Sequence, residues 1–367
     1  MNFNPTPRIL MGPGPSDAHP RVLQAMARPL IGHLDPEFVA LMDEVKEMTQ
    51  QCFITKNHLT FVVSAPGSAG METCLVNLLE PGDECIIGIN GVFGGRMREI
   101  ADRCGAIVHT VEVEWGKIIE PSMIKSALEK CPKPKLVAML HAETSTGARQ
   151  PLEEISDMVH NAGSLLMIDA VTSFCGVPLK VDEWGIDAIY SGTQKCLSAP
   201  PGLSPVSFSD NAVKVLENRK HKVQSWFLDL SLVKNYWAGA KRAYHHTAPV
   251  SSMFAIHQAL SIVLEEGLEN RWKRHHDVHL HLKRQLEDLG FKYLVEEKYR
   301  LPNLNAVILP DGMDEASVRK QLLMDYNIEV GGGLGAFAGK IWRIGIMGES
   351  ATKNHVNTLT GALRELI

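Results

Sequence analysis

The chain has 367 residues, a formal net charge of −5 with both signs interspersed, and seven cysteines. That length supports two domains, because single cores stop growing at roughly 250–300 residues, and the mixed, slightly acidic charge argues against nucleic acid as a main partner. No run approaches the ~20 apolar residues of a membrane span, and the opening Met1-Asn2-Phe3-Asn4-Pro5 lacks the basic-then-apolar order of a signal peptide, so a cytoplasmic protein without membrane contact is expected.

The cysteines lack C-x-x-C spacing. Those such as Cys74, Cys85 and Cys175 sit in apolar or helical surroundings, which reads as reduced core thiols rather than a disulfide frame or a zinc site. In the first dozen residues too few apolar positions are spaced for a helix, and Met11-Gly12-Pro13-Gly14-Pro15 reads as a rigid irregular turn. Residues 1–20 are therefore expected to form an arm.

Over residues 21–255, seven short apolar runs (Phe61–Val63, Cys85–Ile89, Ile107–Val113, Leu136–Leu140, Leu165–Ile168, Ala188–Tyr190 and Pro205–Phe208) alternate with helix-period segments such as Ala69–Leu79 and Leu152–Asn161. This rhythm predicts an α/β domain with a mostly parallel seven-stranded sheet flanked by helices. Ligands of such sheets collect beyond the carboxyl ends of the strands, where Ser64, Asp169 and Lys195 fall. After the loop Lys241–Pro249, one long helical stretch from Ser252 through Leu289 precedes strands at Leu304–Leu309, Ile328–Val330 and Ile341–Ile344. A smaller α+β domain over 256–367, completed by the N-terminal arm, is expected.

The chemistry-bearing residues follow from these strand ends. The run Leu165–Ile168 delivers the carboxylate of Asp169, and Ala188–Tyr190 leads through Ser191-Gly192-Thr193-Gln194 to the amine of Lys195. An amine and a carboxylate facing one pocket are what pyridoxal phosphate needs: one to hold its aldehyde as a Schiff base, the other to keep its ring nitrogen protonated. The small-residue turn Ser64-Ala65-Pro66-Gly67-Ser68-Ala69-Gly70 opens a helix and offers Gly67, Ser68 and Ala69 as a phosphate cradle. Arg343, a charge inside the apolar strand Trp342-Arg343-Ile344, suits a carboxylate bidentately. The glycines of Gly331-Gly332-Gly333-Leu334-Gly335 are expected to let backbone pass close to substrate. His275, His276, His279 and His281 read as the exposed face of a long helix without a third convergent metal ligand.

On these residues, together with Tyr244-His245-His246-Thr247, the chain resembles the class V branch of the fold-type I pyridoxal-phosphate enzymes from Leu10 to about Arg364. Within that branch it is similar to the alanine–glyoxylate and serine–pyruvate aminotransferases. The resemblance implies that Lys195 anchors the cofactor and then moves the substrate α-proton, that Asp169 pairs with the pyridine nitrogen, and that Ser173 and Gln194 hydrogen-bond around ring and phosphate. It further implies that Phe93, where relatives often carry Trp, stacks on the ring, and that Thr144 lies near the phenolic oxygen. Arg343 would then take the substrate α-carboxylate, with the small residues Gly12 and Thr144 favouring a small side chain.

Tyr244 and Thr247 would reach a neighbouring subunit's phosphate, which requires a homodimer, and the arm would lie along the partner's site. His245 and His246 are expected as an exposed polar turn. Pro66 departs from the family's usual Ser/Thr-Gly-x-Gly pattern and removes one donor. Some eukaryotic relatives are peroxisomal and end in a small-basic-leucine tripeptide, whereas this chain ends Glu365-Leu366-Ile367.

The implied activity is ping-pong transfer of an amino group from alanine, or serine, to glyoxylate. Ureidoglycine–glyoxylate and pyridoxamine–pyruvate transamination are rivals that use the same anchors. A cysteine desulfurase would want a mobile loop cysteine, and a dinucleotide-dependent oxidoreductase would want G-x-G-x-x-G with an acidic residue ~20 positions on.

Overall fold

A computed structural model describes residues 3–237 and 242–367; Met1 and Asn2 of the expected arm, and Lys241 at the start of the expected loop, lie outside the described residues. Seven strands form the large sheet in the order Leu59–Val63, Ser204–Phe208, Ala188–Tyr190, Leu165–Asp169, Leu136–Leu140, Glu84–Ile89 and Ile107–Glu112. Only Ser204–Phe208 runs antiparallel to its neighbours. Strands covered on both faces by helices can be apolar throughout, and Leu136–Leu140 and Leu165–Asp169 are buried at every position. The chain is thus an α/β protein of the expected class.

Gly70 shows how closely helix meets sheet. A Cβ there would stand 3.1 Å from the Cβ of Tyr190 and against the Ser204 side chain, so only hydrogen lets the helix Gly67–Leu78 settle onto the strands. This seat fixes where the first turn of that helix points.

A second, antiparallel sheet joins Lys292–Tyr293, Leu304–Ile308, Ile341–Gly345 and Gly331–Gly332. Ile328–Glu329 lies outside it and pairs in parallel with Ile9–Leu10, so the arm, for which no helix is expected, contains a short strand just before its Met11–Pro15 turn. Met11 is fully buried in the core of this second sheet.

The expected single helix from Ser252 to Leu289 is two helices, Val250–Glu266 and Leu268–Asp288. Gly267 separates them at φ +80°, a left-handed turn that apolar spacing does not reveal. The histidines of the second helix are not uniformly exposed either. His275 is fully buried, its Nδ1 2.7 Å from the Arg271 carbonyl and its Nε2 accepting from the Gly348 N–H at 2.9 Å. His279 is buried against Asn305 at 2.6 Å. These rings tie the helix to neighbouring backbone and side chains. The glycines at 331–335 also make room for protein: Pro13 lies against Gly331, and the Phe337 backbone lies against Gly333.

Candidate active site

Asp169 ends its strand, and Lys195 lies five residues beyond Tyr190, the last residue of the adjacent parallel strand. Both side chains therefore emerge at one edge of the sheet, into a cavity of about 210 Å³. Gly67 and Ser68, Phe93, Thr144 and Gln194 line the same cavity. Seven of the residues expected from the sequence thus converge on one space.

Burial sets the electrostatics of the pair. Desolvation raises the Asp169 carboxyl to about 7, against the opposing pull of the Tyr190 hydroxyl and the Val171 N–H, which donate to its two oxygens. The Lys195 amine is brought down to about 8, first by burial and then by the Arg343 guanidinium. Its Nζ donates to the Pro13 carbonyl. Next to it Gly14 takes φ +103°, and a Cβ there would stand 2.7 Å from Lys195 Cδ and 2.8 Å from Nζ.

Gly14→Ala is therefore expected to strain the backbone by about 1–2 kcal/mol and to push the amine aside. Its apoprotein should melt lower and capture pyridoxal at least about tenfold more slowly than wild type. An unchanged capture rate would mean that the arm does not position the lysine.

Other expected residues sit differently. Ala69 does not line the cavity; its N–H turns back to the Pro66 carbonyl at 2.7 Å. Ser173 is buried, and its Oγ has no hydrogen-bond partner among the described residues. Gly12 faces the second sheet instead, with the site of a Cβ 3.6 Å from the Gly331 nitrogen. Tyr244 and Thr247 are exposed and lie outside the lining. The turn between them is not the exposed one expected: His245 is buried, stacked on Trp226 at 4.5 Å, and His246 Nε2 is 2.7 Å from Ser64 Oγ.

The arm runs along its own subunit's site from Pro13 to Ser16. The Ser16 N–H donates to the Gln194 carbonyl at 2.9 Å and its hydroxyl to the Lys195 carbonyl at 2.7 Å. For this stretch the contacts are made within one chain.

Arg343 is buried, with Nε donating to the Gly332 carbonyl at 2.9 Å and Nη1 to the Thr144 carbonyl at 3.4 Å. Among the described residues no carboxylate lies within 4 Å of it. A buried guanidinium held only by carbonyls keeps its full charge, which an anion can meet. The Thr144 hydroxyl bonds the Thr172 hydroxyl.

Tyr190 and Arg96 also line the cavity, and the sequence reading missed both. Tyr190 reads as one more apolar residue of a buried strand. Arg96 carried a usable signal: it stands three residues after Phe93 on the helix Val92–Arg103, and such pairs share a face.

The set fits pyridoxal phosphate. Oε1 of Gln194 is buried without a hydrogen-bond partner among the described residues, a donor-seeking atom beside the cavity. At Gly67 a Cβ would press to 3.2 Å on Val171, so the helix opening brings bare backbone to the space. An acid and a low-pKa amine complete the set. Lys195 could hold the aldehyde, Asp169 the ring nitrogen, and Gly67 and Ser68 the phosphate.

A seven-stranded, mostly parallel sheet that converges a buried lysine and aspartate in this way defines a fold-type I pyridoxal-phosphate enzyme. The chain belongs to the aminotransferase class-V family, whose sequence model matches residues 10–346. It is a pyridoxal-phosphate-dependent transaminase.

It is 41% identical over 363 residues to an alanine–glyoxylate aminotransferase of Rattus norvegicus, covering 98% of this chain and 87% of the rat protein. An (S)-ureidoglycine–glyoxylate transaminase of Bacillus subtilis is 37% identical over 378 residues, covering 98% of this chain and 90% of that one. The crystal structure of an alanine–glyoxylate aminotransferase from Nostoc sp. superposes with a TM-score of 0.97 at 46% identity, covering 100% of this chain and 97% of that one. Among the described residues no helix is long and apolar enough to cross a membrane.

Proposed function

We propose that the protein transfers an amino group from alanine, with serine as a second donor, to glyoxylate, giving glycine and pyruvate or hydroxypyruvate. The observation that carries this reading is the buried Arg343 guanidinium, with no carboxylate within 4 Å among the described residues, placed beside the Lys195–Asp169 cavity. It suits the α-carboxylate shared by amino and oxo acids. Full-length likeness to alanine–glyoxylate aminotransferases supports the choice of substrates.

Pyridoxal phosphate, when bound, supplies an aldehyde that takes up the amino group and a ring that accepts the electrons of the Cα–H bond. The chain's residues supply the rest. Arg343 orients the carboxylate, and with it the Cα–H bond. The Lys195 amine, neutral in appreciable fraction at pH 7 because burial holds it near 8, takes the α-proton and returns it elsewhere. Asp169 keeps a proton on the ring nitrogen, and Tyr190 and Val171 hold that carboxylate in place. Phe93 offers a flat apolar face, Ser173 and Gln194 offer polar atoms, and Thr144 a hydroxyl already bonded to Thr172. We also propose a homodimer in which the exposed Tyr244 and Thr247 reach the neighbouring site.

The test is half-reaction spectroscopy on the holoenzyme. Alanine and serine should bleach the bound-cofactor absorbance, and glyoxylate should restore it. Bleaching by ureidoglycine but not by alanine would move the assignment to the reaction of the Bacillus relative. Arg343→Ala is expected to raise KM for alanine by about 10- to 100-fold, the loss of a charge-assisted pair of about 1.5–3 kcal/mol. Cofactor retention should hardly change; the opposite pattern would place Arg343 on the cofactor instead.

A further inference from the structure

The phosphate of the cofactor brings a charge near −2 into a partly buried cavity, and the donors proposed to meet it are few. In the first turn of Gly67–Leu78, the N–H groups of Gly67 and Ser68 make no backbone hydrogen bond among the described residues, while that of Ala69 is spent on the Pro66 carbonyl at 2.7 Å. Pro66 stands at the cap with neither an N–H nor a side-chain hydrogen bond. Tyr244 and Thr247, the groups assigned to a partner subunit, are neutral hydroxyls. Two backbone dipoles, hydroxyls and the neutral Gln194 amide leave a dianion short of countercharge.

Among the described residues that line the cavity, two are cationic, Lys195 and Arg96. The proposed aldehyde chemistry occupies the Lys195 amine, which is itself brought down by burial. Arg96 remains. Its Nη1 donates to the hydroxyl of Ser68, the second residue of the phosphate-facing turn, at 3.0 Å. Its guanidinium lies 4.9 Å from the centroid of the Phe93 ring, on the same helix. Among the described residues no carboxylate lies within 4 Å of it. An aromatic face and a hydroxyl hold a guanidinium in place without neutralising it, whereas a carboxylate would cancel the charge an anion needs.

We propose that Arg96 is a phosphate-binding residue of this site. It supplies the positive charge that the Pro66-interrupted cradle lacks, and it is pre-positioned by Phe93 and Ser68. This rests on the pyridoxal-phosphate reading of the cavity and adds a residue to it.

The experiment titrates apoprotein with pyridoxal phosphate and, separately, with pyridoxal, which has the same ring and aldehyde but no phosphate. Binding is followed by absorbance, with no turnover. Wild type, Arg96→Gln and Arg96→Lys are compared; Arg96 is exposed, so both variants should keep the wild-type melting temperature. Arg96→Gln is expected to weaken pyridoxal phosphate by about 10- to 100-fold. It should change pyridoxal by less than about threefold. Arg96→Lys, which keeps the charge but not the fork, should fall between. Inorganic phosphate should compete with pyridoxal phosphate more weakly in Arg96→Gln than in wild type.

An equal loss on both ligands would make Arg96 a staple between two helices and overturn the proposal, as would no loss on either. If wild type captured neither ligand, the cofactor reading itself would fail, a result distinct from a null effect of the variants.

Discussion

Replacing Lys195 by alanine is expected to lower transamination by about 10⁴-fold or more, because one group serves as both anchor and proton carrier. The variant should also take up no covalent label when holoprotein is treated with borohydride, although pyridoxal phosphate can still occupy the cavity. The placement of the amine explains the size of the effect. At pH 7 an ordinary lysine is neutral about once in 2,500 molecules, but one held near 8 is neutral about once in ten. Aldehyde capture by wild-type apoprotein should therefore rise about tenfold per pH unit up to about 8 and level off above it.

Folding responds to the same shift. Between about 8 and 10.5 the unfolded chain binds the lysine proton and the folded chain does not, so wild-type stability should climb through that window by an amount on the order of 3 kcal/mol. Lys195→Ala apoprotein should lack this climb. A flat capture profile, or an identical pH dependence of melting in the two proteins, would show that the amine is not buried as described.

Legibility in the sequence followed the physics of each element. Strands covered on both faces leave continuous apolar runs, so Leu136–Leu140 and Ala188–Tyr190 are found where the runs lie, and the residues just past such runs, Asp169 and Lys195, mark the site. Features set by distant partners were not readable. Nothing near Gly267 announces its positive φ, since an isolated glycine within a helical pattern is compatible with one unbroken helix. His275 and His279 look solvated because what buries them, Gly348 and Asn305, comes from elsewhere in the chain. The Met11–Pro15 turn is legible from its glycines and prolines, but the contact of its Pro13 carbonyl with Lys195 of its own chain is not. Tyr190 was hidden by its hydrophobic neighbours. Its hydroxyl is satisfied by Asp169, one strand away, a pairing that depends on register.

The aspartate offers the second large effect, and in it stability and activity move in opposite directions. Asp169→Asn preserves shape and can still accept from Val171, yet it cannot pair as an anion with a protonated ring nitrogen. Losing one member of such a buried pair costs about 3–5 kcal/mol, so kcat/KM should fall by about 10²- to 10⁴-fold with cofactor still bound. In apoprotein the same change should be favourable. Burial raises the Asp169 carboxyl from 3.8 to about 7, so between those values the folded chain holds a proton that the unfolded chain has released. Wild-type apoprotein therefore loses stability as pH rises from about 4 to 7, by an amount on the order of 4 kcal/mol. The asparagine variant escapes that loss. Its melting temperature should exceed wild type above pH 7, and the gap should close toward pH 4. Added pyridoxal phosphate should reverse the order at pH 8, because the ring nitrogen's proton then stabilises the carboxylate and gives the amide no comparable partner. Equal melting curves at pH 8 in apoprotein, or turnover within tenfold of wild type, would remove Asp169 from the role of ring partner.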